Sequence, residues 1–596
     1  MIVTQERSGP APGHMTPRDS NLAVARLFEE IAQSLEVAGE HGHRLRAYRR
    51  AARGVAATPE PLEQLAAEGR LREIHGVGAS LAALIAEFLE TGGMRTHQRL
   101  VDEHPPGLAP LLRARGFGPA GVQALHAALG ATDLDGVEQA GREGRLAQAV
   151  GPRRAAALLA ELPDLRHPVR PMRLKSAWET AWLVVQLLNE PGSRPLRLEV
   201  AGAARRMLDT VVGGLDFVAV PSPGRGSRLL DLVERLPSVV QVVDRGEASA
   251  RVRLYDAVEV RVHLAEPHCF GAALLWHTGS PAHLERLRRL AIARGYELTP
   301  AGLIGDTRLL TAAEESDIYA ALDLPWVAPE LREDSGEIEA AQTGSVPRLI
   351  NIDDLKGDLH CHTEWTDGTA SLESMAIAAR ARGYAYMALT DHSRSLTITN
   401  GLSLERLEEA RREVGRLNHQ LAPFVILLGT EMDILQDGTL DYPDETLATL
   451  DYVSASVHSR FKQPEAQMTE RIIRAVTHPL VHALNHPRGR LLGARPAYAV
   501  DLQRVLEVAA AAGCALEVSA DPARMDLDGD WARRVRTACG RCTVSSDAHS
   551  TLDYDNIWLG IGSARRGWLE PRHVLNTLPL DELRSQLVPR LDRYKG

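Results

Sequence analysis

The stretch GDLHCHTEWTDGT, residues 357–369, sets His360 and His362 two positions apart and follows them with Asp367. In a strand, residues two apart point to the same side. The two imidazoles therefore aim at one point, and the aspartate arrives from the following loop. The arrangement recurs along the chain. The apolar run YAYMALTDHS ends at Asp391 and His392, FVILLGTEMD at Glu431, DYVSASVHS at His458, VHALNHPRG at His486, and CTVSSDAHS at Asp547 and His549. A further run, CALEVSADP, carries Glu517. Any single histidine in such a place is ordinarily a core or surface residue. Six of them with Asp and Glu, all at strand ends, read instead as a metal-binding set.

The nine candidate donors are His360, His362, Asp367, His392, Glu431, His458, His486, Asp547 and His549. They offer nitrogen and oxygen without a thiolate, a set that manganese, zinc, iron and magnesium all suit. Nine donors exceed what one ion takes, so two or three divalent ions are expected. Clustered ions suit phosphoester hydrolysis, where they activate water and offset charge on the attacking and leaving oxygens. Cys361 lies between two of the donors and is expected to face the other side of its strand and pack.

Such a set works only if the strand ends share a face. From residue 351 onward, apolar strands alternate with helical spacing, which predicts βα units around a parallel sheet. In a closed βα barrel the strand ends meet at one mouth. Upstream, residues 20 to about 170 read as entirely helical, for example in NLAVARLFEEIAQSLEVAG and GASLAALIAEFLETG. Residues 196–263 are β-rich, with LRLEVAGA, GLDFVAVP, VVQVV and ARVRLYDAVEVRVHLA around a helix-like SRLLDLVERL. Residues 264–333 return to mostly helical spacing. The polar string DSGEIEAAQTGSVPRLI, 334–350, reads as a linker, and residues 1–19 read as a disordered tail without a signal-peptide core.

The helical part repeats one short pattern, HGVG at 75–78 and RGFG at 115–118. Glycine permits a sharp turn, and the amides that open the next helix can hold a phosphate oxygen. Gly76, Gly78, Gly116 and Gly118 thus read as two helix-hairpin-helix clamps on a DNA backbone. Arg44, Arg46, Arg49, Arg50 and Arg53 lie just upstream as either a solvated face or phosphate contacts. The net charge of −10 excludes a uniformly basic nucleic-acid coat, so contacts to DNA must be local. No run of about 18 uncharged apolar residues occurs, so no membrane span is expected. Five cysteines without a signal point to a reducing cytoplasm, and the lone Cys539/Cys542 pair reads as incidental.

The motifs GDLHCHTEWTDGT, TDHS, GTEMDIL, ASVHS, NHPRGRLL, SSDAHST and GIGSARRGWLEPRHVLNT together resemble a PHP (polymerase and histidinol phosphatase) domain, and the upstream segments resemble a family X DNA polymerase. The resemblance, to bacterial family X polymerases with a C-terminal PHP domain, covers about residues 20–592. It implies a multidomain chain: a tail at 1–19, an all-α helix-hairpin-helix region in two units at 20–95 and 96–172, an α+β nucleotidyltransferase-like palm at 173–263, a helical thumb at 264–333, a linker at 334–350 and a distorted (βα)7 PHP barrel at 351–592. It also implies a trinuclear metal site on the nine residues named above, manganese-dependent 3′→5′ exonuclease activity and 3′-end cleaning in DNA repair. The expected partners are gapped, nicked or 3′-ended DNA and dNTPs, and the chain is expected to be a monomer.

The polymerase half departs from the family pattern. GAARRMLDTVVGGLDFVAV keeps Gly202, Arg205 and Arg206, with Ala203 in place of a serine that would contact triphosphate. Gly214 takes the place of the first metal-binding aspartate, Asp216 keeps the second, and Glu259 stands for the third. One extra residue separates the arginines from the strand. The TGS turn survives as Thr278, Gly279 and Ser280, with Trp276, His277, Pro281 and Leu284 as unusual neighbours. Gly202, Arg205, Arg206, Gly279 and Ser280 remain candidates for nucleotide binding, and Asp216 with Glu259 for a residual metal site. Two-metal nucleotidyl transfer needs bridging carboxylates, so polymerisation is expected to be weak or lost. Arg488 and Arg490, after His486, are candidates for holding phosphate. A bifunctional polymerase/exonuclease, a small-molecule phosphatase and a non-catalytic DNA-end scaffold are the alternatives.

Overall fold

The structure is a computed structural model that describes residues 17–587 apart from 41, 59, 167–170, 190–193, 237, 255–256 and 307–308. The expected tail lies outside the described residues up to residue 16. Its last positions belong to the helix Pro17–Ala38.

Two helical units come first, each with its own core. In the first, Val24, Phe28, Ile31 and Leu35 recur at helical spacing and pack on Tyr48, Ala52, Val55 and Ile85. In the second, Leu108, Val122, Leu125, Val137, Leu158 and Leu162 meet. Each unit contains one of the repeated glycine turns. Gly76 and Gly116 have φ of 82° and 79°, a left-handed conformation that glycine adopts at no steric cost. Gly78 and Gly118 then cap the helices Ala79–Thr91 and Pro119–Leu129 without a side-chain cap bond, which leaves first-turn amides to outside acceptors.

The β-rich region is a five-stranded sheet in the order Arg197–Val200, Leu215–Val220, Glu259–Leu264, Ser249–Leu254, Val239–Arg245. The helices Leu174–Leu188 and Gly226–Glu234 bury their apolar sides against it.

Two expectations need correction. The thumb region is not uniformly helical: Glu297–Thr299, Gly302–Ile304 and Leu309–Leu310 form an antiparallel meander. Leu298 and Leu303 pair across the first two strands and point into the thumb core, and Gly302 turns with φ of 136°. Strands this short give too few alternations to read. Residues 334–350 are also not a free linker. Glu337–Gln342 is helical, and Ile338 and Ala341 are buried in the thumb core. The acidic Glu337 is itself buried, bonded to His283 Nδ1 (2.7 Å) and to the Asp334 and Ser335 amides. Polarity at that position marks an internal cap rather than solvent exposure.

The C-terminal region is a parallel seven-stranded sheet with the strands side by side in chain order: Gly357–Cys361, Tyr386–Leu389, Val425–Asp433, Tyr452–Ser456, Ala483–Leu484, Ala515–Ser519 and Cys542–Ser545. A bridge between Cys361 and Ala548 brings the first and last strands together, so the sheet closes on itself. Cys361 is fully buried in the core. Palm and barrel share one continuous hydrophobic core. Trp178 meets Trp558 edge-on at 6.1 Å, Lys175 Nζ donates to Asn556 Oδ1 (2.7 Å), and Arg490 pairs with Asp209 (2.9 Å). Among the described residues, no helix is long and apolar enough to cross a membrane.

Candidate metal centre at the barrel mouth

All nine sequence-derived residues arrive at one mouth: His360 and Glu431 lie near the C-terminal ends of their parallel strands, and the other seven lie in the segments that follow strand ends. Glu431 lies at the centre. Its carboxylate oxygens stand 2.8 Å from His486 Nε2, 3.0 Å from His392 Nδ1, 3.3 Å from His458 Nε2, 3.5 Å from His360 Nε2 and 3.6 Å from His362 Nε2. Asp547 Oδ1 lies 3.3 Å from His360 Nε2, 3.4 Å from His362 Nε2 and 3.8 Å from His549 Nδ1. Asp367 Oδ2 lies 3.3 Å from His392 Nε2 and 3.4 Å from His549 Nε2. Two ligand atoms bound to one ion at about 2.1 Å sit about 3 Å apart, so these spacings are those of shared coordination spheres.

The donors divide into three overlapping groups: His362, Asp367, His392 and His549; His360, His362 and Asp547; His392, Glu431 and His458. His362 and His392 each belong to two groups, so the groups adjoin, and the ninth donor, His486, reaches them through Glu431 at 2.8 Å. Nδ1 of His362, His392 and His458 is buried without a hydrogen-bond partner. Imidazole nitrogens orphaned in this way fit a cation as the missing partner. The donor set holds no sulfur and fits divalent ions of the manganese, zinc, iron and magnesium type.

Electrostatics express the same demand. Burial alone would raise the Glu431 and Asp547 carboxyls, yet the surrounding histidines hold both well below the ordinary range. Burial lowers His392 and His549, but Glu431 and Asp367 push His392 up to about 10, and Asp367 with Asp547 pushes His549 up to about 9. His362 and His486 go the other way, to about 3 and about 4, through burial and neighbouring positive charge. The carboxylates thus call for positive charge in a space too dry for water to supply it.

Several residues outside the nine donors hold this constellation in place, among them Asp391 and Glu517, which lie in the same apolar runs. Glu517 Oε1 accepts from His360 Nδ1 at 2.6 Å and Oε2 accepts the His486 amide at 2.8 Å. Such a partner fixes the tautomer and leaves Nε2 for a cation. Asp433 Oδ1 stands 3.5 Å from His458 Nδ1. Asp358 accepts the amides of His360 and Ser546, which ties the first strand to the last. Asp391 faces away from the donors and accepts from the Thr363 amide (2.9 Å) and from the hydroxyls of Thr363 and Thr366, shaping the loop that delivers Asp367. A charged residue inside an otherwise apolar strand was the available signal for Glu517.

The palm candidates are not brought together in this way. Asp216 pairs with Arg261 Nε at 2.7 Å, and Glu259 pairs with Arg253 at 2.9 Å. Gly214 has φ of 99°, and a Cβ there would overlap the Glu259 carbonyl. Arg205 is engaged by Glu315 (2.7 and 3.0 Å) and Thr278 (2.9 Å), and Arg206 by Glu333 (2.9 Å) and the Thr278 carbonyl (2.7 Å). Ser280 caps the helix Pro281–Ala293 by accepting the His283 amide, Gly279 packs on Leu284, and Gly202 packs on Asp216. Arg488 and Arg490 are likewise committed to the protein. Arg488 pairs with Asp528, and Arg490 pairs with Asp209 and donates to the Arg524 carbonyl, so neither is free for phosphate. These arginines follow His486 in sequence but are drawn away by acidic neighbours that only the fold supplies.

A helix-hairpin-helix domain model matches residues 19–94, a DNA polymerase beta thumb model residues 273–333, and a PHP domain model residues 358–519. The chain is 27% identical over 255 residues to a probable phosphatase of Shewanella loihica, covering 40% of this chain and 96% of that one. It is 28% identical over 181 residues to a probable phosphatase of Caldanaerobacter subterraneus, covering 29% and 68%. Against the DNA polymerase/3'-5' exonuclease PolX of Bacillus subtilis the likeness runs the length of both chains, at 32% identity over 571 residues, 95% of this chain and 98% of the relative. With that likeness along both chains, and helix-hairpin-helix, thumb and PHP matches within this one, the chain belongs to the family X DNA polymerases that carry a C-terminal PHP domain.

Proposed function

We propose that this protein is a metal-dependent 3′→5′ exonuclease and 3′-end phosphoesterase acting on DNA in repair, with polymerisation weak or lost. The observation that carries it is the contrast between two sites: eight of the nine donors fall into three adjoining clusters at one mouth of the barrel, with His486 against Glu431, while Asp216 and Glu259 each face an arginine. Divalent ions at the mouth, most suitably manganese, would supply an activated water and offset charge on the phosphate oxygens. His360, His362, Asp367, His392, Glu431, His458, His486, Asp547 and His549 would hold them. Glu517 keeps His360 oriented, and Asp358 fixes the strand that bears it. The glycine turns at 75–78 and 115–118 offer amides to the DNA backbone.

The name of the Bacillus subtilis relative includes a polymerase. In this chain the first metal position is Gly214, which has no carboxylate, and Arg261 already neutralises Asp216. A small-molecule phosphatase would need none of the clamps; the shorter relatives are named only as probable phosphatases. The test is labelled gapped DNA with manganese, with and without dNTPs. We expect the primer strand to shorten in both arms. Robust lengthening that Asp216→Ala abolishes would refute loss of the polymerase, and a primer left intact without dNTPs would refute the exonuclease.

A further inference from the structure

Most guanidiniums around the barrel are matched to carboxylates, but a few beside its mouth are not. Arg173, in the short strand Met172–Arg173 that enters the palm, reaches across to the barrel. It gives Nε and Nη2 to the Leu492 carbonyl, at 2.9 and 2.6 Å. The Leu492 amide donates in turn to the Ala523 carbonyl at 2.7 Å. The next residue, Arg524, holds its Nε 3.5 Å from Asp547 Oδ2, at the edge of the candidate metal centre. Arg495 donates Nε to the Gly489 carbonyl at 3.0 Å and lies over the Phe461 ring at 4.1 Å.

From the opposite side, the helix His43–Ala57 is tied to the palm helix Leu174–Leu188 by Arg53 and Glu179 at 3.4 Å. Arg46 lies two turns earlier on that helix and is exposed. Among the described residues, Arg46, Arg173 and Arg495 form no ion pair, whereas Arg49 is matched by Glu29 and Glu36. The charges feel one another. Burial lowers the pKa of Arg173, Asp521 opposes this, and Arg46 and Arg49 lower it further. Burial and Arg524 lower that of Arg495. Like charges gathered without counter-ions need an anion, and guanidiniums drawn from three separate parts of the chain suit a polyanion better than one phosphate. Arg173 and Arg524 are half-buried at the mouth, which suits a single strand rather than a duplex.

We propose that Arg46, Arg173 and Arg495 form a phosphate-binding track that conducts the unpaired 3′-terminal strand of DNA to the barrel mouth, where Arg524, paired with Asp521 and Asp547, marks the edge of the metal centre. The first helical unit is then part of the exonuclease path. The inference rests on the reading of the barrel as a DNA exonuclease. Its test is steady-state degradation of a 5′-labelled single-stranded oligonucleotide by the full chain with manganese, across a salt series. Arg46→Gln, Arg173→Gln and the double variant should each raise KM, by about 3- to 10-fold per arginine, with kcat within about twofold. The slope of log(1/KM) on log[salt] should shrink by about 0.7 per arginine. Arg46 is exposed and forms no ion pair among the described residues, so Arg46→Gln reports even if Arg173→Gln loosens the Leu492 loop. Arg44 is matched by Glu40, and Arg44→Gln should behave as wild type. A double variant with wild-type KM and slope overturns the track, as does an equal KM rise in Arg44→Gln. Wild-type chain that hydrolyses bis(4-nitrophenyl) phosphate but leaves the oligonucleotide intact overturns the exonuclease reading and the track with it. Wild-type chain that degrades DNA while the variants match it overturns the track alone.

Discussion

Glu517→Gln isolates what one supporting residue does for the metal centre. The carboxylate is fully buried and accepts two hydrogen bonds, from His360 Nδ1 at 2.6 Å and from the His486 amide at 2.8 Å. Glutamine keeps the shape but has one acceptor oxygen, and its amide nitrogen can only donate. It can satisfy His360 or the His486 amide, not both, and whichever is left faces another donor. Exchanging a charge-assisted bond for a neutral one forfeits about 1–2 kcal/mol, and a buried unsatisfied donor costs about 1–3 kcal/mol. Part of that cost falls on the apo fold. The remainder corresponds to about 10- to 100-fold in metal affinity, the usual effect of removing such a partner. Calorimetric titration of chelator-treated protein with manganese reads it directly. One class of sites, the one that includes His360, should weaken by that factor while the others stay within about threefold. All sites unchanged within twofold would refute the claim that Glu517 orients a ligand.

Gly214→Asp should not restore polymerisation. A Cβ there overlaps the Glu259 carbonyl at a φ of 99°, so strain and overpacking should cost about 2–6 kcal/mol, visible as a lower thermal midpoint. Manganese at about 100 times its Kd should stabilise the chelated chain by about 2.7 kcal/mol per ion, read as a thermal shift, and no shift would count against the centre. Glu315→Gln tests the palm–thumb junction, where Glu315 holds both Arg332 and Arg205. Burial would raise its carboxyl, but the two guanidiniums bring it down to about 2. A depressed folded-state pKa contributes stability above the unfolded value near 4.3 and loses it as pH falls toward 2. The variant should therefore be about 3 kcal/mol less stable at pH 7, with the gap closing below about pH 4. A gap that stays constant from pH 7 to pH 3 would show that the ion pairs contribute nothing.

What could be read in the sequence was governed by period and by position along strands. Ligands such as His458 and His486 end apolar runs, and a parallel barrel turns that sequence rule into a spatial one. Supporting groups have no such rule. Glu517 meets His360 across 157 positions, a pairing set by the order in which strands close the barrel. The thumb meander was hidden because three short strands show too little alternation, and the helix Glu337–Gln342 because its leading charge is an internal cap. The arginines after His486 and in the palm looked available because their acidic partners, Asp209, Glu315 and Glu333, lie far away in sequence.

The same geometry bears on why the palm should stay folded whatever its nucleotide chemistry. Its helix Leu174–Leu188 and sheet contribute to the core that the barrel also uses, so losing the palm would strip apolar surface from the barrel itself. Met207 lies directly against Gly562, Arg566 donates to the Arg206 carbonyl, and Arg173 and Asp209 grip the loop that follows the fifth barrel strand, which Arg490 ties to the loop after the sixth. Those loops also bear His486 and Arg524. Selection on the barrel therefore acts on palm packing whether or not the palm retains nucleotide chemistry. It acts much less on positions such as Gly214, whose nearest neighbour is the Glu259 carbonyl within the palm. A fold held in place by its neighbour can outlast its own chemistry, and that is the pattern this physical arrangement favours.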